Sequence, residues 1–329
     1  MAKKKTYQAI NWNAPTNKFY DTIYRKQAEL FWLAEEIPVS DDKSVWATLD
    51  ENTKVAYKRI LAGLTLLDTE QTAGIVKVAD KTNDLFITSI LTLFAGFETI
   101  HARSYSTIFQ TLCTTDEIDE LFNWVEKTKE LQDKVHQIVS RYQSIKDQYS
   151  LYRSYVGALA LEGICFYSGF FLPLFLAGQG KMVNSGEIIS LIMRDEKLHT
   201  VFVGQCAKDL FETFKEEDKQ SLYEETKDFF KDIVEAEMDY AKVIYDALGL
   251  TDEVRKYVEF NCNYALKCVG FAPAFDTKED DVNAIVMNGY SIETKNHDFF
   301  STKGNGYAKA KVEVLTDDDF KVEVPFTIC

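Results

Sequence analysis

Two short patterns in this sequence carry residue types that bind metals: Glu98-Thr-Ile-His101 and Glu196-Lys-Leu-His199. They use two of only four histidines, the others being His136 and His297. Residues three apart on a helix share a face, so each pair aims a carboxylate and an imidazole at one point. Both sit in apolar surroundings, LTLFAGFETIHARSY and IISLIMRDEKLHTVF. A carboxylate buried there needs a partner or a metal. Two further apolar stretches each supply a lone carboxylate: Asp68 in LAGLTLLDTEQTAG and Glu162 in YVGALALEGICFY. Asp68, Glu98, His101, Glu162, Glu196 and His199 thus offer six ligands from four helices, the set used by di-iron and di-manganese helical bundles. Four carboxylates balance two divalent cations. An oxygen-rich set with two imidazoles suits iron or manganese better than zinc or copper, and affinity order does not choose between those two.

Tyr105 follows His101 by four residues, one turn further along the same face. A phenol beside an oxidising metal pair can lose an electron and a proton together; the alternative is an ordinary core tyrosine, one of 17 in the chain. Asp195, next to Glu196, is placed to accept from a ligand histidine, or else to pair on the surface with Arg194. Phe97, Phe166, Tyr167, Phe170 and Phe171 are candidates for a dry surround.

Helices must position these groups, and the composition provides them. The 329 residues contain only 15 Gly and 5 Pro, so long segments pass without a breaker. Apolar periodicity predicts helices over about 17–35, 51–78, 84–112, 116–145, 148–179, 184–213, 217–248 and 252–269. Ser40 with Asp41, Ser185, and Thr251 with Asp252 read as helix N-caps. The fold expected is all-α, a helical bundle with a dinuclear site in its core. Helical character fades after Gly270, which divides the chain into a helical domain, 1–270, and an extended, largely mobile tail, 271–329. The segment 155–178 is long and apolar enough to cross a bilayer, yet it holds Glu162 and Pro173 and reads as a buried core helix. A net charge of -15 argues against nucleic-acid binding. Six scattered cysteines without a CxxC pair point to a reduced, cytoplasmic protein. No secretory signal follows the basic N-terminus.

The segments LTLLDT, FETIHARSYSTIF, LEGICFYSGFFLP and IMRDEKLH together resemble the metal-binding segments of class Ib ribonucleotide reductase small subunits. FWLAEEIPVSDD near the start and NHDFFSTKGNGY near the end are similar to that family too. The resemblance implies a ferritin-like homodimer that assembles two manganese or two iron ions and a tyrosyl radical at Tyr105, then passes the oxidising equivalent to a catalytic large subunit for deoxyribonucleotide synthesis. It implies a relay from His101 through Asp195 to Trp32, leaving by Tyr307 in the tail, and a flavodoxin-like activating protein where the metal is manganese. The chain departs from the family's pattern at Gly163, where serine is common, at Tyr264, where lysine is usual, and in its last residues, DDDFKVEVPFTIC. Two rival readings are a ferritin-like oxidase acting on its own substrate and a metal-storage bundle. The first would not need Trp32, Asp195 and Tyr307 together, and the second gives no reason for Tyr105 in register with His101.

Overall fold

Apolar periodicity with few breakers yields eleven α-helices among the residues described by the computed structural model, 6–15 and 17–287. They are α1 (Lys18–Glu29), α2 (Lys43–Thr48), α3 (Glu51–Lys81), α4 (Leu85–Leu112), α5 (Thr115–Lys127), α6 (Lys129–Tyr142), α7 (Gln148–Ala160), α8 (Tyr167–Gly178), α9 (Val183–Glu212), α10 (Glu216–Tyr245) and α11 (Thr251–Cys268). No strand occurs among the described residues. Helices α3 and α4, joined through residues 82–84, form the most extensive pair, and α9 packs on α4, α7, α8 and α11. Asp50 caps α3 by accepting from Thr53 N, and Asp84 caps α4 by accepting from Phe86 N and Ile87 N.

Three expected helices differ in ways that bear on the site. The first ends at Glu29, and the chain then runs non-helically so that Trp32 turns inward while Phe31 and Leu33 stay exposed. The expected helix 116–145 breaks at Thr128, whose extended backbone ends α5 and starts α6 and whose hydroxyl bonds back to Trp124 O at 2.7 Å. No Gly or Pro marks that break, so periodicity alone reads through it. The run 148–178 is one helical path interrupted by a π turn, Leu161–Cys165, that carries Glu162. Its most apolar window is 94% buried inside the protein, as a core helix would be.

The N-cap reading is corrected at all three places: Ser40 and Asp41 lie inside a 3-10 turn, Val39–Asp42, and neither caps a helix. Ser185 lies inside α9; its N–H and hydroxyl both donate to Asp42, at 2.7 and 2.6 Å, so a carboxylate from a distant turn caps this ligand-bearing helix. Thr251 opens α11 but donates its hydroxyl to Asp246 instead of capping.

Past α11 the chain still packs on the bundle. Asn263 bonds to the backbone of Ala274, Phe275 and Thr277, while Val282 and Val286 are buried. Packing therefore continues beyond residue 270. The remainder of the expected tail, with Tyr307, lies outside the described residues. The five described cysteines are free.

Candidate metal centre

Asp68 projects from α3, Glu98, His101 and Tyr105 from α4, Glu162 from the π turn, and Asp195, Glu196 and His199 from α9. All eight are fully buried. The ligating atoms fall into two groups, Asp68, Glu98, His101 and Glu196, and Glu98, Glu162, Glu196 and His199, each with its atoms within 4.8 Å of one another. Glu98 and Glu196 belong to both, so the cluster offers two adjacent positions that could each hold a metal ion. His101 Nδ1 lies 2.9 Å from Glu196, 3.5 Å from Asp68 and 3.6 Å from Glu98. His199 Nδ1 lies 2.8 Å from Glu98, 3.2 Å from Glu196 and 3.5 Å from Glu162.

Apart from these contacts within the cluster and with Tyr105, both oxygens of Asp68 and of Glu98, Glu162 Oε2, Glu196 Oε1 and His101 Nδ1 have no hydrogen-bond partner. Buried polar atoms are otherwise almost always paired, so orphaned ligand atoms converging from four elements fit a pair of divalent cations.

Electrostatics follow the same geometry. Burial raises the carboxyl of Asp68 well above the usual range, reinforced by the charge of Glu98. Burial and the charges of Glu98 and Glu196 do the same to Glu162. Glu196 goes the other way: burial opposes its ionisation, but a hydrogen bond with Glu162 and the His101 imidazole outweigh it. Burial would depress both imidazoles, yet the surrounding carboxylates raise them, Glu196 foremost for His101 and Glu98 for His199. Protons thus stand where cations would bind, and metal binding displaces them.

The outer nitrogen of His101 faces a second set of groups. Its Nε2 meets Asp195 Oδ2 at 3.2 Å, and the same oxygen accepts from Trp32 Nε1 at 2.8 Å. The indole and imidazole rings are nearly parallel, 22° apart, with centroids separated by 6.2 Å. Arg194 stands 3.6 Å from the other Asp195 oxygen and donates to Leu30 O, which ties the turn carrying Trp32 to α9. Asp195 thus contacts His101, and its approach to Arg194 is made by a fully buried carboxylate and not as a surface pair.

The Tyr105 hydroxyl faces Asp68 and has no other hydrogen-bond partner. Burial, then the charges of Asp68, Glu196 and Glu98, push its ionisation well above the ordinary phenol range. Phe97 approaches His101 edge-on, and Phe166 stacks on Phe170. The sequence reading missed three contributors. Phe94 stacks on His199 with ring centroids 4.0 Å apart; Gln71 donates to Glu162; Tyr142 donates to Gln71. Gln71, three residues beyond Asp68 on an apolar helix, carried a readable signal. Tyr142 carried none, because only the packing of α6 on α3 brings it there.

Residues 9–284 match the family model described as ribonucleotide reductase, small chain. The chain is 44% identical over 323 residues to ribonucleoside-diphosphate reductase subunit beta of Bacillus subtilis (strain 168), covering 97% of this chain and 98% of that protein. It is 31% identical over 320 residues to ribonucleoside-diphosphate reductase 2 subunit beta of Escherichia coli (strain K12), covering 97% and 99%. Among solved structures it is similar to dimanganese(II)-NrdF of Streptococcus sanguinis, with 36% identity and a TM-score of 0.84 over 87% of this chain and 100% of that one.

Proposed function

This chain belongs to the ribonucleotide reductase small-chain family, and on that premise we propose that its buried cluster holds two manganese ions and serves to oxidise Tyr105 to a stored tyrosyl radical. It is the small subunit of ribonucleoside-diphosphate reductase, an oxidoreductase that acts together with a large subunit. Family membership implies pairing with that subunit and a homodimer. In this reading Asp68 and His101 would hold one ion and Glu162 and His199 the other, with Glu98 and Glu196 available to both. Manganese is favoured over iron by the dimanganese relative, since the donor set accommodates both.

When bound and raised above the divalent state by an oxygen-derived oxidant, the metal pair would supply the oxidising power for removing one electron from the phenol, the metal pair being reduced by that electron. The protein's own residues do the rest. Burial keeps water and reductants from Tyr105 and keeps the phenol protonated, so loss of its electron is coupled to departure of the Oη proton. Asp68, the carboxylate whose charge bears most strongly on that hydroxyl, is positioned to receive it. His101, Asp195 and Trp32 form the route by which the equivalent leaves, and Tyr307 in the tail continues it to the large subunit. A reduced flavodoxin-like protein takes part in activation, in the cytoplasm.

The observation that carries this reading is Tyr105, fully buried with its hydroxyl toward Asp68 and in register with two of the six ligands on α4. Electron paramagnetic resonance with metal analysis, on protein from its native host, tests it. The expected result is a tyrosyl signal coupled to two manganese ions per chain, with Tyr105→Phe keeping the metals and losing the signal. A signal that persists in Tyr105→Phe would place the radical elsewhere.

A further inference from the structure

A neutral amide touches the carboxylate cluster. Gln71 is fully buried on α3, and its Nε2 donates to Glu162 Oε1. Behind it, Tyr142 at the end of α6 donates its hydroxyl to Gln71 Oε1 at 2.8 Å. Tyr142 is itself buried, and burial followed by the charge of Glu162 keeps its phenol protonated. With a phenol donating to its oxygen, the Gln71 amide must turn its NH2 toward the carboxylate, because the reverse would set a carbonyl against it. The sequence makes room for this chain of donors. A Cβ at Gly74 would fall 2.3 Å from the Tyr142 ring, so glycine there lets the ring lie against α3. Asp68, Gln71 and Gly74 follow one another at helical spacing: a ligand, a donor and a gap for the donor's own partner.

The two metal positions are consequently unequal. Glu162 Oε1 accepts from the Gln71 amide while its Oε2 faces His199 Nδ1 at 3.5 Å; Asp68 instead faces His101 Nδ1, at 3.5 Å, and the Tyr105 hydroxyl, with no amide behind it. We propose that Gln71 is a positioning residue that holds Glu162 by one oxygen and presents the other to the metal position shared with His199. The effect is directed to that position, because the two side-chain hydrogen bonds of Gln71 go to Glu162 and to Tyr142. Outer hydrogen-bond partners of metal ligands typically contribute about 10- to 100-fold in affinity.

The inference rests on the two-metal reading above, and the full-length chain tests the two separately. Manganese binding is followed through the free Mn2+ resonance signal, and the occupancy of each position by anomalous diffraction. The unsubstituted chain is expected to take up two Mn2+. Gln71→Met, which keeps the volume and removes the donor, is expected to fill the Asp68/His101 position normally and the Glu162/His199 position only at about 10- to 100-fold higher Mn2+. Tyr142→Phe, which leaves Gln71 in place and frees its amide to turn, is expected to shift the same position by a smaller factor. Fewer than two Mn2+ in the unsubstituted chain overturns the two-metal reading. Two Mn2+ there with unchanged affinities in both variants overturns the role of Gln71 alone, as does an equal loss at both positions. Should Gln71→Met fail to fold, Tyr142→Phe decides by the same criterion.

Discussion

His101 shows how one residue serves two environments. Its Nδ1 faces three carboxylates and its Nε2 faces Asp195, which in turn accepts from Trp32. A ligand imidazole fixed through its other nitrogen has one ring orientation. Trp32→Phe keeps a ring in place and removes the Nε1 proton. The expected outcome is metal content and tyrosyl signal close to those of the unsubstituted chain, with nucleotide reduction in the presence of the large subunit falling to background. Loss of a buried donor to a carboxylate also lowers unfolding stability by about 1–3 kcal/mol. Turnover that survives the substitution would remove Trp32 from the relay, whatever its structural contribution.

At the scale of the element, the π turn at 161–165 decides where Glu162 points, and α11 closes over it. Gly163 is the contact: a Cβ there would lie 2.7 Å from the Ala265 methyl. The departure from the serine common in the family at this position is thus matched by close packing of α11. Gly163→Ser is expected to destabilise the chain by about 1–3 kcal/mol through overpacking, and Ala265→Gly in the same chain to recover part of that loss. Denaturant unfolding of the single and double variants measures the coupling. A fully additive pair would show that the two positions do not press on each other. Helix α9 gives a second case of long-range support, since the Asp42 carboxylate caps a helix more than a hundred residues away in sequence.

Across the whole molecule, the ligands on α3, α4, the π turn and α9 form a cluster of like charges and orphaned atoms at the centre of the bundle, which is costly to maintain without cations. Binding to the folded state alone should therefore stabilise it by mass action. The melting temperature of metal-free protein is expected to rise on addition of Mn2+, with a gain of about 2.7 kcal/mol at a free concentration 100 times the dissociation constant. A chelator should reverse it. Thermal melts at several Mn2+ concentrations check this, and a midpoint that does not move would mean the cluster is not a site for that ion.

The sequence by itself determined the helical class, most of the long helices, and the candidate ligands, because helical periodicity and Glu-x-x-His spacing are local properties of the chain. Acidic residues stranded in apolar runs gave away Asp68 and Glu162 for the same reason: burial of a charge is legible wherever its neighbours in sequence are all apolar. Tertiary structure decided what those residues meet. It set Gln71 and Tyr142 behind Glu162 and broke the helix at Thr128, where no Gly or Pro announces a stop. It turned Trp32 onto Asp195 and made Asp42 the cap of α9, in both cases through partners more than a hundred residues apart. Such contacts depend on how helices cross, and the crossing is chosen by the packing of whole faces, which local spacing does not encode.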